Sequence, residues 1–276
     1  MIVVTGATGN VGRALVDRLL AAGQPVRALT RDPRRAALPD GAEVVRFQSD
    51  DPAALFDGAT ALYLYAQAAT PALLEGARAR GVRHVVLLSS AIVQEGADET
   101  HPIHVLHATA EQHVRDSGLD WTFLRPGAFA TNALAWVPQI RAGNTVRGIY
   151  AGSLSAPIHE DDMAAVAERA LLDGGHEGAV HRLTGPAATT NLQQVAAIGK
   201  AVGRELTYVE TDPHEAGPQL FPGVPPRMLE RLLQSFAEAV GVPPEINDTV
   251  EKITGVPTRS FAQWAHDHVE DFGGPA

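Results

Sequence analysis

An apolar run of four residues precedes a glycine-rich turn near the N-terminus, and this pair of features constrains the fold most. Met1–Val4 is followed by Thr5-Gly6-Ala7-Thr8-Gly9-Asn10-Val11-Gly12 and then by an amphipathic segment. A buried strand, a glycine turn and a helix in this order form the first unit of a dinucleotide-binding fold. The turn therefore predicts a site for a dinucleotide pyrophosphate.

Each of the three glycines has its own expected role. Gly6 permits the tight turn after the strand, Gly9 lets the backbone approach a pyrophosphate, and Gly12 brings the helix close to the sheet. The N–H groups and the positive dipole end at the helix N-terminus then face the phosphates. The turn residues predicted to contact the cofactor are Gly6, Thr8, Gly9, Asn10, Val11 and Gly12.

Composition narrows the class of protein. The 276 residues are 45% hydrophobic, which is enough for a sizeable core in one large domain or one domain with a C-terminal annex. A net charge of -10 opposes binding to nucleic acid or to an acidic membrane. No apolar run approaches the ~20 residues that span a bilayer, and no signal peptide is visible. With no cysteine, thiol catalysis is excluded. We expect a cytoplasmic protein, a monomer or homodimer, without membrane or nucleic-acid partners.

Strand-like and helix-like segments alternate through the first half of the chain. Continuous apolar runs such as His84–Leu88 are typical of strands buried on both faces of a parallel sheet. We predict an α/β fold, a Rossmann-type doubly wound parallel sheet that binds ligands at the carboxyl ends of its strands. The predicted strands are 2–5, 25–30, 43–47, 60–66, 83–89 and 121–125, and the predicted helices are 11–22, 51–57, 71–80 and 105–117.

The pattern changes after Arg125-Pro126-Gly127, where short strands mix with helices. We predict a dinucleotide-binding core over 1–130, followed over 131–276 by a smaller C-terminal α/β lobe that serves as substrate lobe and lid, with some chain returning to the core. Strands are predicted near 145–149, 157–158 and 179–183, and helices at 160–172, 191–202, 226–240, 243–254 and 259–271, with a proline-rich stretch at 212–226.

The end of the second predicted strand indicates which dinucleotide is bound. NAD enzymes usually place an acidic residue here for the ribose hydroxyls, whereas this chain has Thr30 and Arg31, with Arg34 close behind. A guanidinium pairs with a 2′-phosphate, so NADPH/NADP+ is favoured over NAD(H). Asp32 lies beside Arg31 and would partly neutralise it, which makes Arg34 the second candidate; the alternative is a solvated basic turn.

Several stretches together resemble the short-chain dehydrogenase/reductase superfamily, and in particular its atypical NmrA-like branch. The stretches are Thr5–Gly12, Leu29–Arg31, Asp50–Pro52, the block Glu111–Gly127 with its Ser-Gly-Leu and Arg-Pro elements, Phe129, Asn132 and Pro157–His159. The resemblance implies a Rossmann fold, an NADP(H) site at the glycine turn, and often an oxidoreductase activity on quinones or related carbonyls. Some members are redox sensors without a catalytic role.

The chain departs from the superfamily at the catalytic Tyr-x-x-x-Lys, in which the tyrosine delivers a proton. The four tyrosines are Tyr63, Tyr65, Tyr150 and Tyr208, and none has a lysine four residues later. Counted back from Glu111, the usual tyrosine and lysine positions fall on Ile103 and His107. The standard acid is therefore missing, and an imidazole takes the place of the lysine beside the nicotinamide ribose.

The absence of this Tyr-Lys pair limits the hydride acceptors that the protein could reduce. Hydride addition to a simple ketone leaves an alkoxide, which requires a strong proton donor or oxyanion stabiliser. Hydride addition to a quinone leaves a stable aromatic phenolate, so positioning the two reactants supplies most of the rate. A quinone or conjugated carbonyl is the expected small-molecule substrate, and the family analogy extends this to polycyclic aromatic hydroxyquinones of polyketide biosynthesis.

Candidate site residues follow from the expected strand ends and the resemblance. The expected catalytic residues are Ser90, His107 and Tyr65, with a turn cap, a solvent-facing histidine and simple packing as the respective alternatives. For Ser90, Asn132 and His159 we expect substrate contact, although His159 also suits a helix cap. The cofactor contacts expected beyond the glycine turn are Thr30, Arg31, Arg34, Phe47, Gln48, Ala66, Ser89, His107, Pro126, Gly127, Ala128 and Phe129.

Three alternatives to a reductase are a metal-binding protein, a cofactor sensor and an isomerase or epimerase. His101, His104 and His107 are spaced three apart, which turns each side chain about 60° from the preceding one on a helix. The three rings therefore do not converge on one point, and we expect no metal site. The main rival is a non-catalytic NADP(H) sensor acting through a protein partner, which the missing Tyr-Lys pair favours. The third reading, an isomerase or epimerase of nucleotide sugars, suffers most from the missing tyrosine.

Overall fold

A parallel sheet of seven strands organises the first of two structural units in the computed structural model, which describes residues 1–47 and 53–274. This unit comprises 1–126, 160–183 and 249–256. Its strands are β1 (Ile2–Val4), β2 (Val26–Thr30), β3 (Glu43–Arg46), β4 (Ala61–Tyr65), β5 (His84–Leu88), β6 (Asp120–Pro126) and, numbered along the whole chain, β9 (Ala179–Leu183).

The strand order is β3-β2-β1-β4-β5-β6-β9, and every neighbouring pair is parallel. The order reverses at β1, which pairs with β2 on one side and with β4 on the other. In an open α/β sheet, ligands bind outside the carboxyl ends of the strands at such a reversal. The glycine turn follows β1 directly, so the predicted doubly wound fold is confirmed, with the turn at the reversal.

Helices cover both faces of this sheet. The helices of the first unit are α1 (Asn10–Ala21), α2 (Pro71–Ala79), α3 (Pro102–Asp116), α5 (Glu160–Leu172) and α9 (Thr249–Thr254). Helix α1 packs against α5, where Arg18 and Glu168 form a 2.7 Å ion pair. Helices α2 and α3 pack their apolar side chains with Leu62, Leu87 and Phe123 of the strands. The long apolar runs are thus buried on both sides, as parallel sheets require.

The second unit comprises 127–159, 184–248 and the chain from Pro257 onward. It holds the parallel pair β7 (Thr145–Gly148) and β11 (Thr207–Glu210) and the antiparallel pair β8 (Leu154–Ser155) and β10 (Thr189–Thr190). Its core gathers around the fully buried Trp264 with Phe261, Phe272 and Ile198. Its helices are α4 (Val137–Ala142), α6 (Asn191–Ala201), α7 (Pro213–Leu220), α8 (Pro226–Glu238) and α10 (Phe261–Asp267).

Several predicted elements differ from the observed ones, and proline explains two of the differences. Helix α3 begins at Pro102 rather than at 105, because proline fits the first position of a helix and His101 caps it. Helix α7 lies inside the proline-rich stretch, again beginning at a proline. The helix predicted at 243–254 is confined to 249–254. The strand predicted at 157–158 is reduced to an isolated parallel bridge between Phe129 and Ile158, and a short strand lies just before it at Leu154–Ser155. The helix predicted at 51–57 is a 3-10 turn over Ala53–Phe56 in its described part.

No helix within 1–47 and 53–274 is both long and apolar enough to cross a membrane.

Candidate active site

The glycine turn after β1 is held tightly by its own backbone. Gly6 adopts φ +61°, a left-handed conformation that favours glycine, and its carbonyl accepts the Gly9 N–H at 2.9 Å. A Cβ atom on Gly12 would lie 2.2 Å from the carbonyl oxygen of Gly6, so only glycine fits there. Gly12 therefore brings α1 against the turn itself, which is more specific than the expected approach of helix to sheet.

The N-terminus of α1 suits an anionic group. Its N-cap residue is Gly9, no side chain caps the helix, and its first turn contains no acidic residue. Helices α2, α6 and α10, by contrast, are capped by the side chains of Thr70, Thr190 and Ser260. The N–H groups of α1 thus remain available to a pyrophosphate, whose charge the helix dipole stabilises. The residues present fit NADP(H) at this turn.

The end of β2 carries the residues expected to choose the cofactor. Thr30 is buried, while Arg31 and Arg34 are exposed. The Asp32 carboxylate accepts the backbone N–H of Arg34 at 3.2 Å and caps a short 3-10 turn at Pro33–Arg35. Asp32 is therefore engaged in shaping the turn, and the two guanidinium groups extend into solvent at the strand end.

Two further contacts fix this region. Arg13 of α1 donates to the carbonyls of Ala36, at 2.9 Å, and Ala37, which ties the loop after β2 to the first helix. The backbone N–H of Phe47 donates to the Thr30 carbonyl at 2.8 Å and places Phe47 beside the end of β2. Gln48, the other residue expected near the adenine, lies outside the described residues, as does Asp50–Pro52.

Tyr65 lies at the carboxyl end of β4 and covers the glycine turn. A Cβ atom on Gly6 would be 3.1 Å from the Tyr65 ring, and the Tyr65 backbone N–H donates to the Thr5 hydroxyl at 3.0 Å. Ala66 follows as the buried first residue of a 3-10 turn.

After β5, the hydroxyl of the half-buried Ser90 accepts the Ile92 N–H at 3.4 Å. This long bond agrees with the turn-cap alternative and leaves the Ser90 hydroxyl able to donate.

Ser89 belongs to a buried charged network that the sequence did not predict. Its hydroxyl donates to Glu111 at 2.7 Å, and Glu111 is fully buried. Arg125 donates twice to the same carboxylate, at 2.8 and 2.6 Å, and Arg115 once at 3.0 Å. The network joins α3 to the carboxyl ends of β5 and β6. One signal was present: Glu111 falls on the apolar face of α3 together with Ala110 and Val114.

His107 lies one turn before Glu111 on α3. Its Nδ1 atom is buried and has no hydrogen-bond partner within the described part of the chain. Burial lowers the pKa of the imidazole, and the nearby Glu111 carboxylate only partly opposes that shift. At neutral pH the ring is therefore uncharged and able to bond a hydroxyl. This orphaned atom fits the expected place of His107 beside a ribose.

A cavity of about 580 Å³ lies within the second unit. Its aromatic walls include Phe129, Trp136, Tyr208, Phe221 and Phe236. The rings of Phe221 and Phe236 stack at 5.9 Å, and those of Trp136 and Tyr208 meet edge to face at 6.3 Å. Of the described residues that line it, none is an aspartate, a glutamate, a lysine, an arginine or a histidine. Such a wall suits a flat, uncharged, apolar molecule.

Tyr208 is a cavity residue that sequence reasoning missed. A Cβ atom on Gly148 would lie 2.2 Å from the Tyr208 hydroxyl oxygen, so the ring lies directly over that glycine. The hydroxyl donates to the Ile149 carbonyl at 2.8 Å, and burial raises the pKa of the phenol. Tyr208 is therefore a wall of the cavity whose proton is already engaged. No spacing in the sequence marked it, because the pairing of β7 with β11 brings it there.

Some of the predicted site residues after β6 line the cavity, and others do not. Ala128, Phe129 and Asn132 line the cavity, and the Ala128 carbonyl accepts the Ile158 N–H at 2.9 Å. Pro126 ends β6, and Gly127 begins the second unit. His159 is buried outside the cavity lining, with its Nε2 3.3 Å from the Asp267 carboxylate. The structure thus brings Asn132, but not His159, to the cavity wall.

Comparison with known proteins places this geometry in a family. A family model described as NAD(P)H-binding matches residues 6–173, more than half of the chain. A (4-alkanoyl-5-oxo-2,5-dihydrofuran-3-yl)methyl phosphate reductase of Streptomyces griseus is 40% identical over 99% of both chains. An NAD(P)H azoreductase of Xenophilus azovorans is 33% identical, again over 99% of both.

Solved structures agree with the family model. An NADPH-dependent quinone oxidoreductase from Escherichia coli superposes with a TM-score of 0.79 at 27% identity, covering 97% of this chain and 99% of that one. The sheet and flanking helices of the present chain therefore form a Rossmann-like α/β fold that matches this enzyme. The chain therefore belongs to the NAD(P)H-binding family, within the NmrA-like group of atypical short-chain dehydrogenases/reductases, and is an NADPH-dependent oxidoreductase.

Proposed function

We propose that the protein uses NADPH to reduce an uncharged quinone or similarly conjugated acceptor. The observation that carries this proposal is the cavity of the second unit. Its described lining combines aromatic and apolar side chains with neutral polar ones, and it has no ionisable side chain apart from the engaged phenol of Tyr208. We assign the apolar body of the acceptor to this cavity. The amide of Asn132, which lines the wall, is the proposed polar contact.

The missing Tyr-Lys pair supports a conjugated acceptor. When bound, NADPH supplies a hydride. Position 103 is isoleucine and position 107 is a neutral histidine, so no phenol assisted by lysine is available on α3. A reduced quinone leaves as a phenolate, a group with a pKa of about 10 that solvent protonates readily, whereas an alkoxide is far more basic. The residues present can therefore orient the reactants without delivering a proton.

The relatives' names fit the same chemical class. The S. griseus enzyme acts on a compound whose name describes an unsaturated lactone with a ring double bond conjugated to two carbonyl groups. Hydride addition to such a bond leaves an enolate spread over both carbonyls. Quinones, azo compounds and these lactones share one property: the anion left by hydride addition is delocalised. That shared property, rather than one compound, defines the proposed substrate class.

A phosphate on the acceptor is not part of the proposal. The substrate of the S. griseus relative carries one. A buried phosphate needs arginine, lysine or a row of N–H donors. Of the described residues that line the present cavity, none is cationic. A polycyclic hydroxyquinone remains a candidate because it needs only stacking and a few polar contacts.

Roles for the first unit's polar residues follow from their positions. Ser90 is proposed to donate a hydrogen bond to substrate, His107 to hold the nicotinamide ribose and Tyr65 to border the cofactor over Gly6. Support comes from three observations. The Ser90 hydroxyl accepts the Ile92 N–H and retains a proton to donate, the His107 Nδ1 has no partner among the described residues, and the Tyr65 ring lies against Gly6. His159 is proposed only to position the surrounding chain, because its ring already bonds Asp267.

The sensor reading has less support. The likeness to NmrA, a negative transcriptional regulator, is at 18% identity and concerns the fold alone. The relatives with higher identity are named as reductases. We further propose that the protein works in the cytoplasm, as a monomer or homodimer, on a small molecule rather than on nucleic acid. Its net charge of -10 supports the last point.

Anaerobic consumption of NADPH tests the function. The purified protein is given NADPH with 2-methyl-1,4-naphthoquinone, an alkanoyl unsaturated lactone lacking phosphate, or cyclohexanone. We expect turnover with the first two and none with the isolated ketone. Turnover restricted to the ketone would refute the chemistry, and NADPH binding without any turnover would favour the sensor.

The uncharged wall gives a second test. Naphthoquinone-2-sulfonate has the ring system of naphthoquinone plus a fixed negative charge, so we expect a KM at least tenfold higher for it, a cost of about 1.4 kcal/mol. Ser235→Lys adds a cation to the lining on α8 and should narrow this gap. Gln234→Lys adds the same charge one residue away, outside the described lining, and is the matched control. Equal KM values for both quinones in the parent protein would refute the assignment of the cavity.

A further inference from the structure

Two histidines on the same side of α3 carry unpartnered buried atoms. The Nδ1 atoms of His104 and His107 are both buried without a hydrogen-bond partner within the described residues. His104 as a whole is only 9% exposed. A buried polar atom without a partner destabilises the folded state, so two such atoms in one helix turn call for an explanation.

Other histidines of this helix region are satisfied. The Nδ1 atom of His101 accepts the Ile103 N–H at 3.2 Å, and the Nδ1 atom of His113 bonds the Ala69 carbonyl at 2.8 Å. The orphaned atoms therefore do not reflect a general scarcity of partners along α3. They are restricted to the two rings near its N-terminal end.

The position of these rings follows from the topology. Helix α3 connects the parallel strands β5 and β6, so it runs back along the sheet and its N-terminal end lies toward the strands' carboxyl ends. Glu111 marks the level of the strand end, because it bonds Ser89 just after β5. With a rise of 1.5 Å per residue, His107 is about 6 Å and His104 about 10 Å farther along. His104, His107 and Glu111 share one helix face, at successive spacings of three and four residues.

Both rings therefore extend beyond the carboxyl edge of the sheet in the first unit, where doubly wound folds bind their ligands. The α1 N-terminus that suits the pyrophosphate belongs to the same edge, after β1. A dinucleotide bound there by its pyrophosphate extends its second riboside along the strand ends. That riboside carries hydroxyl groups, and a neutral imidazole nitrogen either accepts from or donates to a hydroxyl.

We propose that His104 joins His107 as a binding residue for the nicotinamide riboside of NADPH, with each Nδ1 atom pairing with a polar group of that half of the cofactor. The inference rests on the NADPH dependence included in the proposed function, but not on the identity of the acceptor. In the free protein the Nδ1 atoms of His104 and His107 have no partner among the described residues. Each gains a hydrogen bond when the cofactor binds, and this gain contributes to the affinity for NADPH.

Substitution of His104 separates binding from folding. His104→Leu removes the unpartnered atom, so we expect the variant without cofactor to melt at a higher temperature than the parent protein. We expect its affinity for NADPH to fall roughly three- to tenfold, the size of one neutral hydrogen bond. His104→Asn places an amide near the Nδ1 position and should recover part of the affinity. His107→Leu and His107→Asn form a second pair should either His104 variant fold poorly.

The choice of ligand localises the contact. Adenosine 2′,5′-bisphosphate contains the adenosine and 2′-phosphate of NADPH but lacks the nicotinamide riboside. In titration calorimetry the leucine variants should bind this fragment as the parent does, while binding NADPH more weakly. His113→Leu is the matched control: it breaks a satisfied bond to Ala69, so it should lower the melting temperature and leave the preference for NADPH over the fragment unchanged.

Three results would overturn the inference. Equal losses for NADPH and the fragment would mean that the histidines act through the fold, and no loss for either would mean that they contact no cofactor. A lower melting temperature for the leucine variants without a selective loss for NADPH would assign the Nδ1 atoms to internal water instead. None of these measurements includes an acceptor, so a failure to reduce quinones would leave their outcome unaffected.

Discussion

Gly12 approaches Gly6 so closely that a Cβ atom added to Gly12 would lie 2.2 Å from the Gly6 carbonyl oxygen. Gly12→Ala must therefore push α1 away from the turn that presents its N–H groups. We expect at least a tenfold loss of NADPH affinity in titration calorimetry. Gly174→Ala, a glycine of the same unit with no atom within 4 Å of its added Cβ, is the control. Retention of affinity in Gly12→Ala would show that the turn does not bind the cofactor.

The exposed guanidinium of Arg31 at the end of β2 predicts selectivity between cofactors. Arg31→Ala should weaken NADPH binding by roughly 10- to 100-fold, as expected for one charge-assisted contact, and leave NADH binding nearly unchanged. Arg34→Ala should have a smaller effect in the same direction. Arg169→Ala removes the same charge on α5 and controls for net charge. Equal losses for both nucleotides in Arg31→Ala would contradict a role in binding the 2′-phosphate.

The buried Glu111 carboxylate anchors α3 to two strands through Ser89, Arg115 and Arg125. Glu111→Gln leaves the partly buried Arg125 without a counter-charge, so we expect the free energy of unfolding to fall by about 3–5 kcal/mol. Asp116→Asn changes an exposed carboxylate on the same helix and should have little effect. Urea denaturation followed by circular dichroism measures both. A neutral result for Glu111→Gln would show that the network does not stabilise the fold.

Stability should depend on pH through buried histidines. Burial lowers the pKa of His84, His107 and His181 in the folded chain. Below about pH 6.5 the unfolded chain therefore binds more protons than the folded chain. The stability that the neutral rings contribute is present above that pH and is lost as the pH falls through the pKa values of the folded chain. The melting temperature should drop between pH 7.5 and 5.5. His107→Gln should reduce the slope, while His214→Gln, at an exposed site, should not; a slope unaltered by His107→Gln would remove that ring from the explanation.

Local chemistry made the first unit largely predictable. The glycine turn, the long apolar strands and the strand-to-helix alternation are encoded within windows of about ten residues, and the observed strands end within one or two residues of the predicted bounds. The proline at 102 misled the prediction because its effect depends on position: it would break a helix interior, yet it begins α3.

The second unit and the polar networks were harder to predict from the sequence. Tyr208 reaches the cavity only because β11 pairs with β7, about sixty residues away in the chain. His159 lies buried against Asp267 across 108 positions, a contact that no local pattern reveals. Glu111 falls on the apolar face of α3, but the sequence does not show that Arg125 and Ser89 pair with it there. Such long-range contacts set burial and hydrogen bonding, which sequence spacing does not determine.

Hydride transfer without a proton from the protein can be tested by a single-turnover measurement of 2-methyl-1,4-naphthoquinone reduction under anaerobic conditions. The rapid-mixing rate is compared for NADPH and for NADPH deuterated at both C4 positions, each in H2O and in D2O. We predict a slower reaction with the deuterated cofactor and nearly the same rate in the two solvents, because the proposed hydride transfer requires no proton from the protein. A rate unaffected by deuterium at C4 but lowered in D2O would contradict it.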